Sequence, residues 1–517
     1  MVTDIDTLPD DPALLKQLFV EKQGRFIREI DILHEQIRLL RAQLYGRKSE
    51  KPVPADGPRP LPLFDMPEPE ELEKNEEKVE VPAHTRTKRG RKALPEDLPR
   101  VEVVHDIDEQ DKVCNCGGQL QRIGEETSEQ LDVVPARVQV IRHIRPKYAC
   151  PACEGVEDDG PSVRIASVPP QIIPRSIAGP GLLAYILTAK FVDHLPFYRQ
   201  EKQIKRLGVD ISRTSMCRWA MQAASACQPL LNLLEEEVLA GVFIQADETP
   251  LQVLHEPGRS PTQKSYMWVF RRGDPDRPVL IYQYHPTRSG DVANAFLRDF
   301  EGTVQTDGYG GYDFLDVRET IRHIGCWAHA RRKFTDVTRA LGKKRKPGAA
   351  DKALGYIRKL YGIEKKARAG NYSPQQIHEL RQSEVRPVLD SFEKWLRKKQ
   401  QQTPPKGLLG KAVAYTLNQW HRLVGYIEDG RLHIDNNMAE NSIRPFVVGR
   451  KNWLFSGTPS GARASALLYS LVETAKANGL EPYGYLRHIF ERLPHAVTVD
   501  DIEALLPWNI NQDMLRC

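Results

Sequence analysis

Apolar residues near the amino terminus recur at alternating steps of four and three positions. They are Phe26, Ile30, Leu33, Ile37, Leu40 and Leu44. This is the spacing of the buried seam of a coiled coil, and charged residues flank it. The pattern predicts a coiled-coil (zipper) helix over residues 12–48 that joins copies of the chain. The alternative is one amphipathic helix that packs on its own domain.

Residues 49–95 have a different composition, with many prolines and an acidic run. Such a segment cannot bury a core, so we predict a disordered linker. Near its end lies a basic stretch in which Arg89 and Arg91 flank Gly90. An Arg-Gly-Arg core can lie in a narrow minor groove of DNA, because glycine permits a close approach. A solvated basic linker is the alternative interpretation.

Two close cysteine pairs follow. Cys114 and Cys116 form a C-x-C pair, and Cys150 and Cys153 form a C-x-x-C pair after strand-like sequence. Two such pairs on separate turns predict a zinc-ribbon-type domain over residues 100–165, with four thiolates binding Zn²⁺. His143 could replace one thiolate. A site of this kind holds a small domain together and need not touch substrate.

Residues 170–235 have a helical pattern. Within them, residues 198–206 and 212–226 read as two helices joined by a glycine turn, with a serine cap on the second. Arg213 and Arg218 lie at the start of the second helix. These residue types suit a recognition helix in the major groove, although helical hairpins are common in proteins of every function. The segment predicts a helix-turn-helix-like region.

From residue 242 the pattern changes to short apolar runs separated by turns. The predicted strands are 242–246, 266–270, 279–284, 303–306 and 321–326, with a helix at 291–300. Three strands followed by alternating helix and strand is the order of an α/β ribonuclease H-like catalytic domain, which we place at residues 240–460. Basic helical sequence at about 340–430 predicts a helical insertion. Residues 461–517 are expected to form a carboxy-terminal helical extension.

Acidic residues follow two of these predicted strands. Asp247 comes after the first strand and Asp307 after the fourth, and the assembled sheet brings these two strand ends side by side. We expect the third carboxylate, Glu440, to come from a helix that packs across the sheet. Three convergent carboxylates need a cation, and hard oxygen ligands favour Mg²⁺ or Mn²⁺. Two such ions could hold the attacking and leaving oxygens of a phosphoryl transfer.

Several neighbouring residues compete for roles at this site. Glu248 should point to the opposite face if its strand continues, and Asp435 could cap the helix that carries Glu440. Cys326 and His329 have a C-x-x-H spacing, but two ligands do not make a metal site, so we interpret them as structural.

Basic residues surround the predicted catalytic motifs. We expect those after Cys326 to face DNA phosphates, and those after Glu440 to clamp phosphate near the predicted site of phosphoryl transfer. The predicted DNA-binding residues of this domain are Arg331, Arg332, Lys333, Arg444, Arg450 and Lys451. Trp453 could stack on an unpaired base, or it could be a buried tryptophan at a helix end.

Composition narrows the class of protein. The chain has 517 residues, a net charge of +5 and eight cysteines, which are too sparse for a disulfide scaffold. No apolar run approaches the ~18 residues of a membrane span. The first ten residues are acidic where a signal peptide would be basic and apolar. We therefore expect a cytoplasmic, nucleoid-associated protein without a membrane partner.

Six segments together carry a family resemblance. They are R-P-K-Y-A-C-P-A-C at 145–153, A-D-E-T-P at 246–250, T-D-G-Y-G-G-Y at 306–312, C-W-A-H-A-R-R-K-F at 326–334, D-N-N-M-A-E-N-S-I-R-P at 435–445 and G-R-K-N-W-L-F at 449–455. By these segments the chain resembles the transposases of the insertion sequence 66 family over nearly its whole length. The matching acidic triad of that family gives Asp247, Asp307 and Glu440. The C-x-C pair departs from the family's usual C-x-x-C.

The resemblance implies a DDE-type transposase that binds the terminal inverted repeats of its insertion sequence. A metal-activated water would free 3′-hydroxyls at the element ends, and these would attack target DNA. Asp247 would be shared by both metals, while Asp307 and Glu440 would each complete one. Homo-oligomers and small companion proteins of the element are further expected partners. A catalytically inactive DNA-binding repressor and a structure-specific nuclease are the alternatives.

Overall fold

A computed structural model of the chain describes residues 11–45, 138–149, 163–273, 277–341 and 346–515. The described residues of the amino-terminal part form a long helix and a short pair of strands, which are α1 (Pro12–Tyr45), β1 (Lys147–Ala149) and β2 (Val163–Ile165). Strands β1 and β2 pair antiparallel. The four cysteines predicted to bind zinc and the Arg89–Gly90–Arg91 core lie outside the described residues.

Four helices precede the main sheet. They are α2 (Pro180–Phe191), α3 (Phe197–Arg206), α4 (Arg213–Ala226) and α5 (Gln228–Leu239). Between α3 and α4 the chain turns at Gly208, whose φ of 88° is strained for residues with a side chain. The hydroxyl of Ser212 then accepts the backbone N–H of Ser215 at 3.2 Å and caps α4. The predicted helix, turn, cap and helix are confirmed, while their DNA-reading role stays a prediction.

Five strands form the central sheet of this mixed α/β protein. They are β3 (Phe243–Gln252), β4 (Lys264–Arg272), β5 (Leu280–His285), β6 (Gly302–Gln305) and β7 (Ile321–Ile324), with α6 (Gly290–Phe296) after β5 and a 3₁₀ helix (Gly310–Val317) after β6. The spatial order is β5–β4–β3–β6–β7. Strands β3, β4 and β5 are antiparallel, whereas β6 and β7 run parallel to β3. All five strands predicted from sequence are present, although β3 runs past its predicted end at residue 246.

Residues 327–428 are mostly helical. The elements are α7 (Trp327–Leu341), α8 (Ala349–Ala369), α9 (Pro374–Leu380), a π-helical turn (Arg381–Val385), α10 (Arg386–Gln402), α11 (Leu408–Asn418), α12 (Trp420–Val424) and a 3₁₀ helix (Gly425–Glu428). A buried ion pair joins Arg381 to Glu364 at 2.9 Å and ties the π-helical turn to α8. Arg381 also donates to the backbone carbonyls of Tyr426 and Leu432, which satisfies its buried charge.

The chain then returns to the sheet in a last group of helices. They are α13 (Asn437–Trp453), α14 (Pro459–Ala477), α15 (Pro482–Arg492) and α16 (Val499–Glu503), with short 3₁₀ helices at Leu493–His495, Pro507–Asn509 and Gln512–Leu515. Helix α13 packs across β3 and β4, as predicted for the helix that carries Glu440. Among the described helices, none has both the length and the apolar character needed to cross a membrane.

The two faces of the sheet pack against different cores. Phe243 belongs to a cluster with residues of α7, α8, α10 and α11. Its neighbour Ile244 belongs to a second cluster with residues of α2, α4, α14 and α15. This alternation follows from the two-residue period of a strand. Phe243, Gln245 and Asp247 therefore share one face of β3, and Glu248 lies on the other.

Helix α1 contacts its own domain. It lies against α7 and α11, and a Glu35 carboxylate oxygen accepts the backbone N–H of Leu408 at 3.2 Å. The apolar stripe nevertheless remains exposed, with Ile37 45% and Phe26 63% accessible. Helix α1 thus packs on its own domain, which was the alternative to the zipper. Its apolar stripe is not covered by that packing. Self-association through that stripe stays a prediction.

Candidate active site

The parallel register of β3 and β6 brings Asp247 and Asp307 together. Gln245 pairs with Gln305, and each aspartate lies two residues further along its chain. The prediction that the first strand ends before Asp247 is wrong, because β3 continues to Gln252 by antiparallel pairing with β4. The parallel pairing of β3 with β6 is what ends before Asp247, at Gln245. Asp247 consequently lies within a strand, whereas Asp307 follows the end of one.

Two buried glutamines hold this part of the sheet together. The Nε2 of Gln245 donates to Oε1 of Gln305 at 2.7 Å and to the backbone carbonyl of Asp435 at 3.2 Å. The Nε2 of Gln305 donates to the carbonyls of Gly325 and His433 at 3.0 and 2.8 Å. These bonds connect both aspartate-bearing strands to the segment that leads into α13.

Glu440 enters from the first turn of α13. The start of this helix is anchored by Asn436, whose Nδ2 donates to the backbone carbonyl of Ala246 at 2.8 Å. One Glu440 oxygen, Oε1, lies 3.6 Å from Nδ1 of His329, and the other, Oε2, lies 3.4 Å from Arg332. The Asn436 bond therefore places the start of α13 beside Ala246, the residue that precedes Asp247.

The electrostatics of Asp247 show how closely the acids converge. Burial raises the pKa of Asp247 well above its usual value, and the negative charges of Glu248, Glu440 and Asp307 raise it further. The backbone N–H of Glu248, 2.9 Å from Oδ1, opposes this shift. A buried carboxylate among other carboxylates binds either a proton or a cation. The donor set is all oxygen, so it fits a hard ion such as Mg²⁺ or Mn²⁺.

Glu248 lies on the opposite face of β3, as predicted. Its side chain is 1% exposed and accepts hydrogen bonds from Nε of Arg288 at 2.7 Å and from the hydroxyl of Tyr312 at 2.6 Å. The Arg288 guanidinium stacks over the ring of Tyr309 at 3.6 Å. The backbone N–H of Tyr309 donates to Oδ1 of Asp307 at 2.8 Å. A chain of contacts thus runs from Glu248 to the second aspartate.

Sequence reasoning missed the roles of Arg288, Tyr309 and Tyr312. The two tyrosines lie within the T-D-G-Y-G-G-Y segment, so a signal for them was present. Arg288 lies outside every motif, and no feature of the sequence indicated its contact with Glu248.

Asp435 is also engaged in structural contacts. Its Oδ1 accepts the backbone N–H of Asn437 at 3.2 Å, at the start of α13, which agrees with the capping alternative. Its Oδ2 accepts the hydroxyl of Tyr361 at 2.7 Å. Both rival carboxylates therefore have partners of their own.

Cys326 and His329 acquire a third neighbour that their spacing did not reveal. The Sγ of Cys326, a ring nitrogen of His329 and a carboxylate oxygen of Glu440 all lie within 4.8 Å of one another. The C-x-x-H pair was interpreted as structural because two ligands do not make a site. The structure supplies the third ligand from another helix.

The predicted DNA-binding residues are mostly exposed. The exposed side chains are Arg213, Arg218, Arg331, Arg332, Lys333, Arg444 and Lys451, and Arg450 is half-buried. Trp453 is partly buried, and its ring packs edge-on against Phe446 with ring centres 5.5 Å apart. This packing agrees with the interpretation of Trp453 as a tryptophan at a helix end. Exposure alone does not show that these side chains contact DNA, so their DNA-binding role stays a prediction.

Several protein-family profiles match this chain. The profile of the transposase IS66 family matches residues 175–464. A zinc-finger binding domain of transposase IS66 matches residues 111–154, and an IS66 C-terminal element matches residues 470–508. A further profile, described as transposase C of IS166 homeodomain, matches residues 32–103.

Relatives from Sinorhizobium fredii (strain NBRC 101917 / NGR234) cover most of the chain. The protein y4jD is 34% identical over 435 residues, which is 82% of this chain and 82% of y4jD. The protein y4qI is 34% identical over 445 residues, 83% of this chain and 79% of y4qI. Both bear the name "uncharacterized protein".

The fold and these matches define a protein of the transposase class, with a zinc-finger domain in its amino-terminal half. The family match covers more than half of the chain and includes all three candidate carboxylates. The chain belongs to the IS66 transposase family.

Proposed function

We propose that the protein is a DDE-type DNA transposase with a ribonuclease H-like catalytic domain. It binds the terminal inverted repeats of its insertion sequence, cleaves DNA to free 3′-hydroxyls and joins these to target DNA. The observation that carries the proposal is the placement of Asp247 and Asp307 at equal offsets on paired strands, with Glu440 electrostatically coupled to Asp247.

In this proposal Asp247 is the central ligand, since it is the acid whose pKa the other carboxylates raise. Asp307 and Glu440 complete the site from either side. Mg²⁺ or Mn²⁺ held there would activate the attacking oxygen and stabilise the leaving oxygen of an in-line phosphoryl transfer. Arg332, which lies 3.4 Å from Glu440, and Lys333 are exposed on α7, where they hold DNA phosphates.

The amino-terminal modules supply binding and assembly. Cys114, Cys116, Cys150 and Cys153 bind Zn²⁺, within the segment that matches the zinc-finger domain. The exposed apolar stripe of α1 joins copies of the chain, so that two element ends are held together. Small companion proteins of the element assist, and the assembly works in the cytoplasm on the nucleoid.

The direct test is the variant Asp247→Asn. We expect it to abolish cutting of a duplex that carries the element's terminal repeat, while binding measured by gel shift stays within about twofold of wild type. Asp390→Asn, an exposed aspartate on α10, is the matched control and should cut normally. Parallel loss of cutting and binding would mean that Asp247 is structural. Binding without cutting by the wild type would favour the repressor.

A further inference from the structure

Two helix starts meet beside the carboxylate cluster. Cys326 directly precedes α7 and His329 lies in its first turn, while Glu440 lies in the first turn of α13. The backbone N–H of Trp327 donates to the carbonyl of Ile434 at 3.2 Å and joins the two regions. The amino-terminal end of a helix stabilises negative charge, which favours the carboxylate of Glu440 at this place.

The spacing of the three side chains suits one metal ion. Their ligand atoms lie within 4.8 Å of one another, and Nδ1 of His329 is 3.6 Å from Oε1 of Glu440. Ligands at zinc-like bond lengths in a tetrahedral site lie roughly 3.3–3.8 Å apart. The observed separations therefore exceed those of a closed tetrahedral site by about an ångström at most.

Two of the three ligand atoms lack other partners. Nδ1 of His329 and Oε1 of Glu440 are buried, and neither has a hydrogen-bond partner within the described structure. A buried polar atom without a partner destabilises the folded chain. A cation between these atoms would satisfy both of them.

Backbone N–H groups hold the third ligand atom in place. Sγ of Cys326 accepts the backbone N–H of Asn436 at 3.2 Å, and the backbone N–H of His329 is also directed at it. Burial raises the pKa of this thiol to about 12, and the two N–H donors oppose that shift, so a bound ion takes the place of the thiol proton. A thiolate, an imidazole and a carboxylate together select zinc-like ions, whereas Mg²⁺ requires oxygen ligands.

We propose that Cys326, His329 and Glu440 form a binding site for a zinc-like divalent ion. The site differs from the Asp247–Asp307 pair and from the amino-terminal cysteine cluster. It offers three protein ligands and leaves a fourth position open. Because Glu440 belongs to both sites, an ion held here withdraws it from the carboxylate cluster and inhibits cutting. This inhibition rests on the proposed function, whereas binding of the ion does not.

The test is a cobalt titration of metal-free, full-length protein, read by the absorption bands of cobalt–thiolate bonds and by bound metal. We expect wild type to bind one more equivalent than Cys326→Ser and one more than His329→Gln. The matched control is Cys227→Ser, another buried free cysteine that lies outside the cluster. It should bind as many equivalents as wild type.

Cys326→Ser and His329→Gln differ in how strongly they are expected to affect folding. Cys326 is buried, whereas the His329 side chain is 21% exposed, so His329→Gln keeps the test valid if Cys326→Ser fails to fold. Equal end points for wild type and His329→Gln would overturn the proposal. The titration uses no DNA, so its outcome is independent of whether the protein cuts DNA.

Discussion

Gln245 and Gln305 are hydrogen-bonded through their side-chain amides at 2.7 Å, at the last pair of residues that β3 and β6 share. Both side chains are fully buried. Each of them stands two positions before a candidate catalytic aspartate. The pair therefore sets the relative height of Asp247 and Asp307, and it does so without touching either carboxylate.

Replacing Gln305 tests this arrangement. Gln305→Leu leaves the carbonyls of Gly325 and His433 without their donor, so we expect the free energy of unfolding to fall by about 1–3 kcal/mol. Urea unfolding measures this change. Gln375→Leu, on the exposed surface of α9, is the control and should stay within about 0.5 kcal/mol of wild type. Equal stabilities of the two variants would contradict a structural role for the pair.

The sequence was informative where local pattern determines structure. The five strands and the α3–α4 turn follow from short-range alternation, glycine and capping. The length of β3 could not be predicted in this way, because Pro250 interrupts the strand pattern. Pairing with β6 ends at Gln245, so Pro250 interrupts no bond to β6, while pairing with β4 continues to Gln252.

Contacts between segments that are distant in the chain could not be predicted from the sequence. Glu440 was expected near the aspartates from its motif, but its approach to Cys326 and His329 depends on how the start of α13 lies relative to the start of α7. The ion pair of Arg288 with Glu248 likewise depends on the placement of a loop after β5. No periodicity of the chain encodes such contacts.

The Arg288–Glu248 pair predicts a coupled loss of stability and activity. Arg288→Leu leaves Glu248, with its 1% exposed side chain, without a cation, and removes the stacking partner of Tyr309. We expect about 2–4 kcal/mol less stability and slower cutting, because Tyr309 holds Asp307. Arg298→Leu is an exposed control. A variant that is destabilised but cuts at the wild-type rate once folded would show that the pair does not position Asp307.

His323 predicts a loss of stability in acid. Burial lowers its pKa from 6.5 to about 4, and the positive charge of Arg422 acts in the same direction. The unfolded chain therefore binds more protons in this window, so stability is present above pH 6.5 and is lost as the pH falls towards 4. The loss attributable to this group is about 2–4 kcal/mol.

Unfolding curves measured between pH 7 and pH 4 check this expectation. His323→Gln should show a shallower decline than wild type, even if it is less stable throughout. His255→Gln, an exposed histidine, should retain the wild-type slope. Identical slopes for all three proteins would mean that His323 titrates normally.

The exposed stripe of α1 predicts self-association. Leu33 and Ile37 are 52% and 45% accessible although α1 packs on its own domain. Light scattering of a chain lacking residues 1–50, or of Leu33→Lys with Ile37→Lys, should report a smaller assembly than wild type. Glu29→Lys changes a charge outside the stripe and should leave the mass unchanged. An unchanged mass after both the truncation and the double substitution would refute the zipper.

The central claim is that three carboxylates form one catalytic site, and Glu440→Gln tests it most directly. The measurement is cleavage of a labelled duplex carrying the element's terminal repeat, with Mg²⁺ present. Glu301→Gln, exposed just before the start of β6, is the matched control. We expect wild type and Glu301→Gln to cut and leave a 3′-hydroxyl, and Glu440→Gln to bind the duplex but cut more than about 100-fold more slowly. Cutting by Glu440→Gln at the wild-type rate would contradict the account.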